Sequence, residues 1–221
     1  MVKAIIFDLD NTLIDFMKIK TNANEAAVSA MIKAGLKINK SKALKFLKNL
    51  HRKYGLEYQK IFNKFLKEVL GKVDMRLLAV AVVAYRKVKG DLFEPYPNAI
   101  HALSKLKSKG YTLAIVTDAP KFQAWTRLYE MGIEKFFDFV ITPEDTHSIK
   151  PSGLPFKMAI KKLKLNPEEI IVVGDWPNRD ILPAKKLGMK TVLAKYGKWH
   201  QYKKVHTDYE IDDISELLKI L

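Results

Sequence analysis

Five short apolar runs recur along this chain, each stopping abruptly at polar or turn-forming residues, and that rhythm restricts the fold more than any other feature. Residues 2–7 stop at Asp8, 111–116 at Thr117-Asp118, 137–141 before Thr142-Pro143 and 170–173 at Gly174-Asp175, while 191–194 lead into Lys195-Tyr196-Gly197. Short runs rich in β-formers, apolar throughout instead of alternating, are the pattern of parallel strands buried on both faces. Helical patterns separate them over 97–109, 120–131, 154–163 and 181–187, and Gly110, Gly132 and Gly188 stand where three of these should end. Strand and helix therefore alternate from residue 91 onward. Such alternation predicts an α/β fold of right-handed βαβ units around a parallel sheet, with ligands bound beyond the C-terminal strand ends.

Residues 16–90 break the rhythm. Apolar residues there recur at helical spacing without a convincing strand: Ala26, Ala27, Ala30 and Met31, then Leu44, Leu47 and Leu50, then Ile61, Phe62, Phe65, Leu66 and Val69, then Leu77, Leu78, Ala81, Val82 and Tyr85. The segment reads as a helical insert, leaving 1–15 and 91–221 as the sheet domain, with hinges expected near 14–20 and 88–96. Most of the net charge of +15 sits in it: 15 Lys and 3 Arg against Glu25, Glu57, Glu68 and Asp74 give +14. A solvated, Lys-rich helical surface of the kind heat-adapted proteins carry is the plainer reading of that excess. Attraction of an anionic partner is the alternative.

Other classes are closed by what the chain lacks. It has no cysteine, and its five histidines form no HxxxH or HExxH pattern, so disulfides, thiol nucleophiles and zinc-thiolate sites are excluded. No apolar run approaches the roughly 20 residues that cross a bilayer, and the N-terminus meets acidic residues too early for a signal peptide, so a soluble, cytoplasmic protein is expected.

The densest chemical signal is Asp8-Leu9-Asp10-Asn11-Thr12, directly after the first expected strand. Carboxylates at i and i+2 of an extended segment point the same way, which would aim both at one site on the sheet edge. With 13 Asp and 9 Thr in the chain, a DxDxT string arises by chance only about 0.03 times. Three further features follow in order: Thr117 at the end of the second strand, Lys150-Pro151 with Phe156 (KPxxxxF), and Gly174-Asp175 with Asp180 (GDxxxxD). In this order and at these strand ends the four segments resemble those of the haloacid dehalogenase-like superfamily, in its phosphatase form with a type 1 helical cap.

The resemblance implies a Rossmann-like three-layer α/β/α core with the insert as cap domain, and a magnesium-dependent phosphatase. Asp8 would be the nucleophile, forming an aspartyl-phosphate, and Asp10 the acid that protonates the leaving alkoxide and then deprotonates water. That role requires a protonated Asp10 when substrate binds, which cap closure and expulsion of water would favour. Thr117 and Lys150 would contact the phosphoryl group. Mg2+ would be held by Asp8, Asp175, the Asp10 backbone carbonyl and the nearby Asp180. An acid two residues after the nucleophile favours a phosphomonoester over a halide substrate, because only the alkoxide needs a proton. One departure stands out: many members carry Asn after the motif-two Ser or Thr, where this chain has Asp118, expected to point away from the phosphate or to pair with a lysine.

The substrate expected is a small phosphorylated metabolite such as a sugar, triose or glycolate phosphate, handled by a monomer or homodimer. Lys18, Lys20, Arg52, Lys53, Tyr54, Trp176 and the loop from Tyr196 to His200 are the candidates for selecting it. A phosphomutase shares the core motifs and stays open. From another class, the basic insert could serve a nucleic-acid-binding module, but it lacks a helix-turn-helix, RNA-recognition or zinc signature, and no specific nucleic acid is expected. A catalytically silent scaffold is the third reading, opposed by the intact acidic set.

Overall fold

The computed structural model describes residues 1–198, 202 and 205–221. The chain divides into two compact units, one built from Met1–Phe16 with Glu94–Leu221 and the other from Met17–Phe93. In the first, β1 (Ala4–Phe7), β2 (Thr112–Val116), β3 (Phe139–Ile141), β4 (Ile170–Gly174), β5 (Lys190–Ala194) and β6 (Tyr209–Ile211) form one sheet in the order β3-β2-β1-β4-β5-β6. Every pairing is parallel. The chain builds outward from β1 through β2 to β3, then returns to the other side of β1 with β4. Strand order thus reverses at β1, and the crevice for a ligand opens where the connections leave β1, β2 and β4 in opposite directions.

The central strands are apolar throughout because both faces are covered. Ala4, Ile6, Ala114, Val116, Ile170 and Val172 pack with Phe156 and Ala159 of α8 (Leu154–Leu163) in one buried cluster. Ile5 and Phe7 alternate to the opposite face, where the Phe7 ring meets Phe137 edge-on at 6.1 Å. Helices α5 (Ala99–Ser108), α6 (Lys121–Glu130) and α9 (Leu182–Lys186) complete the unit, with the short α7 (Pro143–Thr146) and α10 (Leu217–Ile220). The helix expected at 181–187 is preceded by a π-type turn over Pro177–Ile181, and α9 begins only at Leu182. Strand β6 was absent from the sequence reading. It is three residues long with only Ile211 buried, so it carries no apolar run to notice.

The second unit holds four helices, of which α2 (Lys40–Tyr54), α3 (Ile61–Leu70) and the end-capped α4 (Met75–Asp91) follow α1 (Phe16–Lys33). Ala27, Met31, Leu47, Phe62, Phe65, Leu66, Leu77 and Ala81 are among its core residues, which lie on the spacing that made the segment read as helical. Asn39 accepts the Lys42 N–H and Asp74 accepts those of Arg76 and Leu77, so α2 and α4 start where a side chain satisfies otherwise orphaned donors. A polar group is buried among them: burial, aided by Lys20, lowers the His51 pKa to about 4, so its ring is held neutral against Asn24. Among the described residues no helix is long and apolar enough to cross a membrane.

Candidate active site

The site grows from the strand ends. Asp8 follows β1, and its N–H donates to Val173 O at 2.9 Å, continuing the β1–β4 ladder one residue past the strand. This fixes the Asp8 backbone as firmly as if it were still in the sheet. Asp175 follows β4 directly, and the turn at 177–181 then brings Asp180 back: its N–H donates to Trp176 O at 2.8 Å, and its carboxylate accepts the Trp176 N–H at 3.0 Å. Gly174 makes room for that return, since a Cβ there would lie 2.5 Å from Asp180 Cβ and Cγ. Three carboxylates thereby converge. Oxygens of Asp8, Asp175 and Asp180 lie within 4.8 Å of one another, and all three residues are buried.

Lys150 joins two of them. Its Nζ donates to Asp8 Oδ1 and to Asp180 Oδ1, each at 2.6 Å, from a side chain that is 3% exposed. Burial alone would pull the ammonium pKa down, but Asp180, Asp8 and Asp118 outweigh it and push it up, so Lys150 stays charged. Asp175 has no such partner. Burial first, then the charges of Asp8 and Asp180, raise its pKa to about 9, and its Oδ2 is buried without a hydrogen bond. Hard oxygen donors, a buried oxygen lacking a partner and three carboxyl groups sharing one ammonium fit a small hard dication, which commonly takes one or two carboxylates with waters and a phosphate oxygen.

Thr117 sits at the adjoining strand end. Its N–H donates to Ile141 O at 3.0 Å, and its hydroxyl oxygen accepts the Ala119 N–H at 3.1 Å, which leaves the hydroxyl to act as a donor. The spacing of Asp8 and Asp10 would aim both carboxylates at one site; Asp10 Oδ2 lies 3.3 Å from Arg127 Nη1, whereas Asp8 pairs with Lys150. A turn starts just beyond, where Asn11 has φ 61° and its N–H donates to Ile14 O at 2.7 Å.

The hydrogen-bond partners of Asp118 are a backbone N–H and an arginine. Its carboxylate accepts the Lys150 backbone N–H at 2.8 Å and pairs with Arg179 Nη2 at 3.1 Å. The extra carboxylate is thereby neutralised by an arginine that the sequence reading did not single out.

Arg127 is not among the sequence-derived candidates, and Gly197 is among them only as part of a loop. Arg127 is 1% exposed on α6, between Ala124 and Leu128 on the buried face, with its guanidinium 4.4 Å from the Phe16 ring centroid. A charged residue inside an apolar helical stripe, and one of only five arginines, was the available signal. Gly197 presses on the DxDxT turn, where a Cβ would fall 1.8 Å from Asn11 O and 2.7 Å from Asp175 Cβ. Its neighbour Tyr196 donates to Thr12 O at 2.9 Å. This loop was noticed for aromatic and basic character, whereas its described part acts as a buttress; Trp199 and His200 lie outside the described residues.

Comparison with known proteins agrees with this geometry. The family model described as haloacid dehalogenase-like hydrolase matches residues 5–194. Two curated relatives, from Methanocaldococcus jannaschii and Methanothermobacter thermautotrophicus, are both named glyceraldehyde 3-phosphate phosphatase. They are 38% and 34% identical over the whole of this chain and cover 97% and 100% of their own lengths. A solved HAD phosphatase from Thermococcus onnurineus superposes with TM-score 0.71 at 28% identity, over 99% of this chain and 97% of that one. With the acidic segments at its strand ends and the family match running from residue 5 to residue 194, this chain belongs to the haloacid dehalogenase-like hydrolases.

Proposed function

We propose that the protein is a magnesium-dependent phosphatase of small phosphorylated metabolites, with a triose phosphate of the glyceraldehyde 3-phosphate type as its preferred substrate. The observation that carries this reading is the buried trio of Asp8, Asp175 and Asp180, two of them bound by Lys150, at the switch point of the sheet. The names of the full-length relatives support the triose phosphate.

The obstacle in phosphoryl transfer is charge, because an anionic nucleophile must approach an anionic phosphoryl group. Bound between Asp8, Asp175, Asp180 and the Asp10 carbonyl, Mg2+ would supply positive charge to a phosphoryl oxygen and to the nucleophile. Lys150 adds a fixed ammonium on the same side, and the Thr117 hydroxyl donates to another phosphoryl oxygen. A carboxylate oxygen of Asp8 attacks phosphorus, the bond from phosphorus to the ester oxygen breaks, and Asp10 gives that oxygen its proton. In the second half water attacks the aspartyl-phosphate, Asp10 takes a proton from the water, and inorganic phosphate leaves as the bond to Asp8 breaks. Because the Asp8 backbone is held by β4, its carboxylate needs little reorganisation in either half.

The test is phosphate release from glyceraldehyde 3-phosphate, other sugar and glycolate phosphates and an aryl phosphate, with magnesium or with chelator, for wild type and Asp8→Asn. Release that needs magnesium, ranks the triose phosphate first and disappears in Asp8→Asn is the expected result. Chelator-insensitive release, or equal turnover by Asp8→Asn, would refute it. Transfer of phosphate within a sugar bisphosphate without net release would identify a mutase instead.

A further inference from the structure

Lys150 lies in none of the helices or strands; it stands in the connection between α7 and α8. No ladder therefore supplies partners for its backbone, and a buried N–H and C=O must find them elsewhere. They find two side chains. The Lys150 N–H donates to Asp118 Oδ1 at 2.8 Å, and the Lys150 carbonyl accepts from Arg179 Nε at 2.9 Å and Nη2 at 2.6 Å. The same Arg179 Nη2 lies 3.1 Å from Asp118 Oδ2, closing a ring around one residue. Asp118 comes from the loop after β2 and Arg179 from the turn after β4, so the ring ties together the connections leaving three strands. Arg179 is also adjacent in sequence to Asp180, the second carboxylate that the Lys150 ammonium holds.

We propose that Asp118 and Arg179 act together as positioning residues that fix the backbone of Lys150 and, through it, the ammonium on the nucleophile. The inference rests on the phosphatase reading above. A lysine side chain is a point charge on four rotatable bonds, and it reaches two carboxylates at once only if its own Cα is immobile. Asp118 and Arg179 provide that immobility as a pair without net charge. An acidic residue beside the phosphate-binding threonine therefore adds no uncompensated negative charge. The bidentate guanidinium also explains why an arginine stands here in a chain with 34 lysines (39 basic residues, five of them Arg): an ammonium cannot present two donors to one carbonyl and a third bond to a carboxylate in one plane.

The experiment compares wild type, Asp118→Ala, Asp118→Asn, Arg179→Met and the double variant Asp118→Ala/Arg179→Met, with magnesium and the preferred phosphate ester. It reads kcat, KM and inhibition by orthovanadate. Outer partners of this kind are typically worth about 10–100-fold, and a fall of that size in kcat/KM is expected for Asp118→Ala and for Arg179→Met. Vanadate inhibition should weaken with it, because the displaced ammonium serves both ligands. Asp118→Asn keeps an oxygen for the Lys150 N–H and should lose less than Asp118→Ala, and the double variant should be little worse than the poorer single one, since both act through one residue. Loss confined to kcat, with KM and vanadate inhibition unchanged, would mean only a smaller folded fraction and would overturn the proposal. So would wild-type kinetics in both single variants, or losses that multiply in the double. If Asp118→Ala fails to fold, Asp118→Asn against Arg179→Met carries the same comparison, and an unaffected vanadate constant in both overturns it. A wild type that releases no phosphate sinks the phosphatase reading and this inference with it, whereas an active wild type with unaffected variants sinks the inference alone.

Discussion

The unpartnered carboxyl of Asp175 makes a prediction in which stability and function move in opposite directions. In the metal-free protein its pKa is raised from 3.8 to about 9, first by burial and then by Asp8 and Asp180. At pH 7 the folded protein therefore holds a proton that the unfolded chain has released. At about 1.36 kcal/mol per pH unit of separation, holding it costs on the order of 4 kcal/mol as an upper limit. Asp175→Asn removes that cost while keeping the shape, so in chelator the variant should be more stable than wild type by up to that amount. For a chain of this size that is roughly 8–16 °C in melting temperature. The sign can be followed with pH. A raised folded pKa means that the folded state binds more protons between 3.8 and about 9, so this group's contribution is greatest at low pH and is lost as pH rises through the window. The difference between variant and wild type should accordingly widen from pH 5 to pH 9 in chelator. Magnesium narrows the gap: wild type should gain about 2.7 kcal/mol at a hundredfold excess over its Kd, and the variant little, with its phosphatase activity gone. Urea denaturation at pH 5, 7 and 9, with magnesium or chelator, reads all of this. A variant no more stable than wild type in chelator at pH 7, or one that magnesium stabilises equally, would refute the reasoning.

Two other perturbations test the site from different sides. Arg127→Met should lower kcat/KM for an alkyl phosphate by about 10-fold or more, while leaving an aryl phosphate with a good leaving group nearly unchanged. The buried guanidinium holds the residue assigned as proton donor, and a good leaving group needs no proton; equal falls on both substrates, in leaving-group series run beside Asp10→Asn, would count against that assignment. Gly197→Ala should destabilise the protein by about 1–3 kcal/mol and depress turnover, because its Cβ would collide with Asn11 O and with Asp175 Cβ. A melting temperature and kcat equal to wild type would show that the loop moves aside freely.

The strands β1, β2 and β4 could be read from the sequence because each is a short apolar run ended by a residue that must leave the apolar layer. The acidic segments could be read for the same reason: Asp8, Thr117 and Asp175 are placed by their strands alone, one residue beyond a buried end. The carboxylate of Asp10 is different. A spacing rule for extended chain relates it to Asp8 but cannot name its cation, a buried arginine over a hundred residues away. Strand β6 and the π-type turn were invisible because their stability comes from neighbours, Val192, Leu193 and Ala194 in one case and Trp176 with Asp180 in the other, and not from any pattern within the segment.

Asp118 marks the boundary most sharply. As a residue in a string it was an anomaly, a negative charge beside a phosphate site, and the sequence offered only two remedies, turning away or pairing with one of many lysines. The actual partner is set by topology. Once β1 lies between β2 and β4, the loops after those two strands face each other across the strand that carries the nucleophile. Residues 118 and 179 meet there, and both bind the backbone of Lys150. Motif strings report residues whose position is set by their own strand, whereas pairings across strands depend on the order in which the strands are laid. The electrostatics of the site therefore became legible only with the sheet order, even though its ligands were legible before it.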